Sequence, residues 1–587
     1  MALQANPEVF AWLRAAPDTE VRDQSLAILV RLAQVIAEHL GCDTPDALRE
    51  TEGQLLSSHE AWVHAAPPEQ LGPELLGIVW EVLQHPGDRR SRGAHFTPRH
   101  LAESVCAAAF SRLPDTDVIP TVLDPAVGGG AFVLAAARGL EDRGLSRGGW
   151  GRADIVSNIS GVDIDPISVK VADAALQLWS GGEARPTMTV ADLLAADWPQ
   201  MGAFDVLIGN PPFLGQLSAD TARGEARRAE LRGRFGDSVT GYVDEALLFV
   251  LASAALIALG GVVAMILPQS VLGATDGTTA RTKLDEQLDL VALWVEQGQP
   301  FGAAVDVVAA IFVRQPRTET TTVMSAEAPH VMAPTPPPTS WAPLLGIASG
   351  VPNVELKGAS TLGSYASITA GFRQHFYGIA EAVGQRSGDE TMKLVTAGAI
   401  EPLWLRWGDR PAKFAGRKWL EPTLDLAKID DGAVREWFSA RKRPKVLVAT
   451  QTRVVEVVVD ATGQLAPSVP VISVEPHDPD DTWRVAAMLS APAVSAFIAQ
   501  QSHGTGLSSD SVRVRAKALA ALPLPLDSAL WGQGAYIARL VHAAAEAHDW
   551  SAYRETLLAL GRQMNAAYEA DETSVAWWQS RLRFPSC

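Results

Sequence analysis

Apolar positions in the first part of the chain, from Pro7 to about Gln84, recur at helical spacing: Leu26, Leu29, Val30, Leu32, Val35 and Ile36 mark one face. Proline-containing turns at Ala66-Pro67-Pro68 and His85-Pro86-Gly87 interrupt it, so the spacing predicts a small helical region. From Gly93 to about Gln315 the pattern changes. Short β-branched runs such as TVLDPA, FDVLIGN, VVAMILP, LVALWVE and VVAAIFV alternate with Ala/Leu-rich stretches, which predicts a mostly parallel sheet covered by helices on both faces. The longest apolar run, Ala246 to Pro268, is divided by Gly260-Gly261 and reads as a buried helix (Asp244 to Leu259) followed by a buried strand (Val262 to Leu267), not as a membrane span. Pro316 to Pro343, with Pro334-Thr335-Pro336-Pro337-Pro338-Thr339, is expected to be a linker or long surface loop. Gly346 to about Pro525 is irregular and rich in Trp, Arg and Gly, and helical periodicity returns from Leu530 to the end.

With 587 residues, 47% of them hydrophobic and 20% charged, the chain has the composition of a multidomain globular protein. The N-terminus lacks a basic stretch followed by an apolar one, so a cytoplasmic location is expected. Cys42, Cys106 and Cys587 are far apart and fit a reducing compartment; neither they nor His95 and His503 have partners at ligand spacing, and no metal is expected. The net charge of −18 argues weakly against nucleic acid, but its distribution is uneven. Between Trp404 and Arg453 the basic residues Arg406, Arg410, Lys413, Arg417, Lys418, Lys428, Arg435, Arg441, Lys442, Arg443, Lys445 and Arg453 outnumber the acidic ones, which allows a local positive face.

Four pieces follow one another at the ends of expected strands. Asp124-Pro125-Ala126-Val127-Gly128-Gly129-Gly130 is a glycine-rich turn between a strand and a helix, where backbone N–H groups can approach a nucleotide-like cofactor. Asp163, after a second strand, can accept from two ribose hydroxyls, and Asp192 from an adenine amino group. Asn210-Pro211-Pro212-Phe213 then ends a buried strand. A purine amino group is a poor nucleophile because its lone pair is delocalised. The Asn210 side-chain oxygen and the Pro211 carbonyl, held by a stiff X-Pro-Pro segment, can aim that lone pair, and Phe213 can stack on a base swung out of the duplex.

In this order the motifs resemble those of gamma-class N6-adenine DNA methyltransferases. The resemblance implies an α/β fold: a Rossmann-like class I methyltransferase core with a mostly parallel sheet, a helical N-terminal region and a mixed α+β C-terminal target-recognition region. It implies S-adenosyl-L-methionine as cofactor and double-stranded DNA as partner, and leaves room for a separate specificity or restriction/defence subunit. Gly93-Ala94-His95-Phe96-Thr97-Pro98 looks like the family's motif X, placing Thr97 and Pro98 at the methionine end of the cofactor. By the same resemblance Asp124, Ala126, Gly128 and Gly130 line the pocket, Asp163 binds ribose, Ile164 and Asp192 contact adenine, and Asn210, Pro211, Pro212 and Phe213 carry catalysis. Phe213 stands where many members have tyrosine. Leu76 to Leu83 resembles the helical region of type I modification subunits, while Arg443-Pro444-Lys445-Val446-Leu447-Val448, Gly504 to Leu507 and Ala521 to Pro525 resemble target-recognition regions of type IIG enzymes.

The expected domains are 1–90 (helical), 91–345 (catalytic), 346–527 (target recognition) and 528–587 (helical). Without a Pro-Asp/Glu-x-Lys constellation, modification without cleavage is expected. Two points stay open. The Arg-rich segment Gln216 to Gly236 (Arg223, Arg227, Arg228, Arg232, Arg234) either closes over the flipped base or forms a solvated helix face. Enzymes that methylate protein glutamine use a similar Asn-Pro-Pro-Tyr grip, and a non-catalytic cofactor-binding subunit is a third reading.

Overall fold

The computed structural model describes residues 11–13, 15, 22–49, 55–84, 97–147, 149–195, 202–213, 225–241, 243–296, 306–325, 330–371, 376–385, 391–502 and 512–585. The motif residues 93–96, the histidines His95 and His503, Cys587, and the segments 216–224, 372–375 and 504–507 lie outside them. The chain forms two compact units, Met1–Trp341 and Ala342–Cys587.

The first unit is built on a nine-stranded sheet in the order β3-β2-β1-β4-β5-β7-β6-β8-β9. Its strands are β1 (Val122–Asp124), β2 (Ile159–Asp163), β3 (Thr187–Val190), β4 (Phe204–Gly209), β5 (Ile257–Pro268), β6 (Asp289–Val295), β7 (Val307–Val313), β8 (Thr320–Met324) and β9 (Val331–Pro334). Strands β3 to β5 are parallel, while β7 runs antiparallel between β5 and β6. Every residue of β6 and β7 is buried, which is why these strands read as continuous apolar runs without alternation. Helices Arg99–Phe110 and Ala131–Leu145 contribute Leu101, Val105, Phe132 and Leu140 to one core with Val122, Val206, Val262 and Ile311. This is the expected Rossmann-like class I methyltransferase arrangement.

Two expectations need correction. The helix that begins the long apolar run spans only Glu245–Ser253, and β5 starts at Ile257. Gly260-Gly261 is therefore not a break between elements but an irregularity inside the strand: Gly260 adopts φ 78°, and the register against β4 shifts between Phe204 and Val206. The segment 316–343 also contains structure, since its Thr/Val-rich parts form β8 and β9 at the sheet edge. Pro334 is tolerated there because an edge strand has one unpaired side. The following residues are tied down as well, with Arg281 donating to the Pro338 carbonyl (2.9 Å) and the Thr339 carbonyl (2.7 Å). Among the described residues no single helix is long and apolar enough to cross a membrane.

Helices Arg22–Leu40 and Glu74–Leu83 pack on helix Pro166–Trp179, and helix Ser57–His64 packs on Arg22–Leu40, so that Leu32, Ile36, Val79 and Trp80 share a core with Ile167, Val171 and Ala174. Trp80 donates its indole N–H to the buried Ser168 hydroxyl at 3.0 Å. Helix Glu74–Leu83 also meets the glycine-rich turn, backbone against backbone. A Cβ on Gly77 would lie 2.3 Å from the Gly129 carbonyl oxygen, and one on Gly129 would lie 2.7 Å from Gly77 Cα.

The second unit is mixed α/β. One sheet pairs Ala366–Ala370, Ile472–Pro476, Lys445–Val448 and Val457–Asp460; another pairs Val383–Gln385, Pro422–Asp425, Thr391–Val395 and Leu465–Pro467. Helices Thr482–Leu489, Pro492–Ser502, Ser528–Glu546, Trp550–Ala567 and Glu572–Arg581 close the main core of this unit with Val446, Val474, Trp531, Tyr553 and Trp578.

The Gly77–Gly129 contact leaves no room for one methyl group. Gly77→Ala is expected to destabilise the first unit by about 1–3 kcal/mol through overpacking and to weaken ligand binding at the turn. Denaturant unfolding checks the first effect, and an unchanged midpoint would contradict the close approach.

Candidate active site

Parallel strands β1 to β4 end along one edge of the sheet, and the loops leaving them hold the residues singled out in the sequence. β1 ends at Asp124, which is 1% exposed. Its Oδ1 accepts from Ala126 N at 3.0 Å and turns the chain out of the strand. Burial pushes the Asp124 carboxyl up to about 8, opposed by the Ala126 N–H bond and aided by the negative charge of Asp163. Asp124 is packed directly against the next strand: a Cβ on Gly209 would stand 2.6 Å from its Oδ1.

The turn itself needs glycine at two positions, because Gly128 and Gly130 adopt φ of 50° and 87°. Gly130 caps helix Ala131–Leu145 and has no side chain with which to bond that helix's first N–H groups. A helix of this length with such an N-terminus favours a polar or anionic ligand group.

Asp163, at the end of β2, holds the turn. Its Oδ2 accepts from Gly128 N at 2.9 Å and its Oδ1 from Asp165 N at 2.8 Å, while its carbonyl accepts from Ala191 N at 3.0 Å. Asp165 in turn caps helix Pro166–Trp179 by accepting from Ile167 N. Ile164 is 60% exposed, an unusual position for isoleucine and a ready apolar surface for an aromatic ring beside the Asp163 carboxylate. Past β3, Asp192 accepts from Leu194 N at 2.8 Å through Oδ1 and pairs with Arg227 at 2.8 Å through Oδ2.

At the end of β4, Asn210 donates its Nδ2 to the Thr97 hydroxyl at 3.1 Å. Thr97 is 4% exposed, and Pro98 precedes helix Arg99–Phe110. An amide held through its nitrogen presents its oxygen on the other limb. Pro211 is buried, and Pro212 and Phe213 are half-buried, with Phe213 packed against the core that contains Val206 and Ile208. Thus Thr97, Asp124, Ala126, Gly128, Gly130, Asp163, Ile164, Asp192 and Asn210 come together at one sheet edge, with Pro98, Pro211, Pro212 and Phe213 adjoining them. The donor set has the chemistry that an adenosine-containing, zwitterionic cofactor needs: uncapped helix N–H groups, carboxylates for hydroxyl and amino donors, and an apolar ledge.

Four residues of this arrangement were not singled out for it in the sequence. Gly77 and Gly209 give no local signal, since each is explained only by what packs opposite. Arg227 and Arg234 were visible as part of an Arg-rich run. The described part, helix Glu225–Phe235, buries Leu231 and Phe235; Arg227 reaches Asp192, and Arg234 donates to the carbonyls of Leu193 and of Ala195, the latter at 2.6 Å. Arg232 stays exposed.

In the second unit three residues of the basic segment, Arg406, Arg441 and Lys445, are used internally. Lys445 is fully buried and bonds Asp460, while Arg441, 7% exposed, stacks on Trp437 at 3.6 Å and pairs with Glu475 at 3.6 Å. Arg406 pairs with Glu401 and covers Trp404. Arg410, Lys413, Arg417 and Lys418 are exposed on or beside the hairpin Ala412–Phe414/Arg417–Trp419, so the positive face is narrower than the residue count suggests. Among the described residues no group of three His, Cys, Asp or Glu gathers at metal-binding distance.

Known proteins share this organisation. The sequence model of the N-6 DNA Methylase family matches residues 73–327. The Type II methyltransferase M.BanIII of Aneurinibacillus aneurinilyticus is 26% identical over 223 residues, which is 35% of this chain and 35% of that enzyme, so the match spans about a third of the relative's length. The type IIL restriction-modification enzyme MmeI, solved in complex with DNA, aligns over 94% of this chain and 90% of its own with 14% identity and a TM-score of 0.60. The type IIG restriction endonuclease BpuSI aligns over 96% and 79% at 12% identity, with a TM-score of 0.48. MmeI supports the fold across both units; the family match falls on the strands, turn and tetrapeptide described above. Over residues 73–327, this chain is similar to the N-6 DNA Methylase family.

Proposed function

We propose that this protein transfers a methyl group to the N6 amino group of adenine in double-stranded DNA, at sites chosen by its second unit and in a restriction-modification or phage-defence setting. The observation that carries the reading is the Asn210–Thr97 hydrogen bond, which joins the residue suited to grip a target amine to the wall of the cofactor pocket. S-Adenosylmethionine, when bound, supplies an electrophilic methyl group on a sulfonium. Thr97, Pro98, Asp124, Ala126, Gly128 and Gly130 would hold its methionine part, Asp163 its ribose, and Ile164 and Asp192 its adenine.

The chain's own work is orientation. Asn210 Oδ1 and the Pro211 carbonyl accept the two N–H bonds of the target amine and turn its lone pair toward the pocket. The amide nitrogen faces the Thr97 hydroxyl, which leaves the oxygen on the other limb. The half-exposed Phe213 ring offers a face for a base taken out of the stack. No base is needed before attack, because the amino proton becomes acidic only after the methyl group has been added. MmeI, which shares the fold, was captured with DNA, in keeping with this substrate.

Expression in a methylation-free host followed by single-molecule sequencing tests the proposal. A recurring N6-methyladenine motif is expected, and Asn210→Ala should abolish it while leaving S-adenosylhomocysteine affinity within about threefold, since a side-chain acceptor removed from the amine site contributes to orientation only. Absence of modified adenine in any motif, with the protein folded, counts against the assignment. Thr97→Val should lower kcat by about tenfold or more with little change in DNA KM, and Thr97→Ser should restore most of it; equal behaviour of the two variants would rule out the orienting hydroxyl.

The pocket can also be probed without turnover. Asp124 holds its proton in the folded chain up to about pH 8, whereas in the unfolded chain it ionises near its ordinary 3.8. Below the lower value the two states bind protons equally. As pH rises from there to about 8 the unfolded state alone ionises, so stability is lost by at most about 1.4 kcal/mol per pH unit, and no further loss follows above 8. Thermal melts of the wild type relative to Asp124→Asn should show that decline and plateau. A constant difference would mean that Asp124 is ionised in the fold.

A further inference from the structure

Arg227, on helix Glu225–Phe235, faces three carboxylates. Its Nη1 lies 2.8 Å from Asp192 Oδ2 and 3.0 Å from Glu230 Oε2, and its Nη2 lies 3.7 Å from Glu245 Oε2. Glu245 is 3% exposed at the start of helix Glu245–Ser253. The guanidinium is thus seated between a buried acid and a half-buried one, while Arg234 fastens the other end of the same helix to the carbonyls of Leu193 and Ala195. Each oxygen of Asp192 has a partner, Leu194 N for Oδ1 and Arg227 for Oδ2. Its rotamer is therefore set from two sides. Each oxygen keeps a second lone pair, and one guanidinium among three carboxylates leaves the cluster net negative, an environment that accepts from an N–H donor and repels a carbonyl oxygen.

We propose that Arg227 is a positioning residue that locks the Asp192 carboxylate as an acceptor for the exocyclic amino group of the cofactor's adenine, and thereby sets the chain's preference for an amino-bearing purine over its oxo counterpart. This rests on the assignment of Asp192 to the adenine of the cofactor. The bidentate reach of arginine matters here, since the same group spans Asp192 and Glu245 and a lysine ammonium is a single point of charge. Removing it frees Asp192 to rotate and lets its oxygens find other donors, so the amino group loses its partner and the oxo group loses its repulsion.

The test is calorimetric titration of the whole protein with S-adenosylhomocysteine and with its deaminated analogue, S-inosylhomocysteine, where the purine amino group is replaced by a carbonyl. Wild type should prefer the amino form by about tenfold or more, because the oxo form leaves a carboxylate facing an acceptor. Arg227→Gln should bring the ratio to about threefold or less, and Arg227→Lys should fall between. The double variant Arg227→Gln/Glu245→Gln, which removes the buried acid together with its counter-ion, keeps the test open should the single variant fold poorly, and should show the same collapse. A folded variant that binds both ligands more weakly but with the wild-type ratio would overturn the proposal, as would a wild type that does not discriminate. Failure of the wild type to bind S-adenosylhomocysteine at all would instead sink the cofactor assignment beneath it.

Discussion

One carboxylate organises the edge of the sheet. Asp163 accepts from the glycine turn after β1 and from its own loop after β2, and its carbonyl accepts from the loop after β3. Three loops that are far apart in sequence are thus referenced to a single residue. Hydrogen bonds of backbone N–H groups to an ionised acceptor are stronger than neutral ones, and each here satisfies a group that the strand end would otherwise leave without a partner. The positions of Gly128, Ile164 and Asp192 follow from this anchor. The glycine turn is tied to β2 a second time, by Val127 N donating to the Val162 carbonyl at 2.8 Å.

The elements that hold the site were legible because their signals are local. A β-branched run ending in Asp124, glycines at left-handed positions, a proline-rich tetrapeptide after FDVLIG and the acid after β2 each carry their reason in a few neighbouring residues. What escaped was long-range. The edge strands β8 and β9 form because β6 offers an open side, and no property of the 316–343 segment alone reveals that partner. Gly260-Gly261 looks like a break, yet the neighbours β4 and β7 carry the strand through it; Gly260 N bonds the Arg314 carbonyl and Arg314 N bonds the Gly261 carbonyl. Gly77 and Gly209 are ordinary glycines until the backbone of Gly129 and the carboxylate of Asp124 are placed against them.

Charge shows the same limit. The segment from Trp404 to Arg453 reads as a positive surface, but Lys445 and Arg441 are core residues whose charges are matched by Asp460 and Glu475. Asp460 accepts besides from Gly463 N, Gln464 N and Leu465 N, so this lysine–aspartate pair fixes the turn after its strand. A buried pair of this kind is costly to break and contributes nothing to long-range attraction of phosphates. For an acidic chain to approach DNA, the exposed cations have to be concentrated, and in the second unit Lys413 and Lys418 are directly opposed across a two-stranded hairpin with Arg417 beside them. Like charges facing each other across strands are unfavourable in isolation.

The hydrogen bond between Asn210 and Thr97 joins two elements that are far apart in the chain. An asparagine amide can sit in two orientations that differ only by exchange of oxygen and nitrogen, and one of them would present a donor to an amine and repel it. A threonine hydroxyl alone does not decide this, since it can donate or accept. At the strand end Asn210 is held between Gly209, pressed on Asp124, and the buried Pro211, with its Nδ2 toward Thr97. Thr97 in turn is placed by Pro98 at the head of helix Arg99–Phe110, whose Leu101 and Val105 belong to the same core as Val206 and Ile208 of β4. Packing of the sheet therefore brings Asn210 and Thr97 within hydrogen-bond reach of each other.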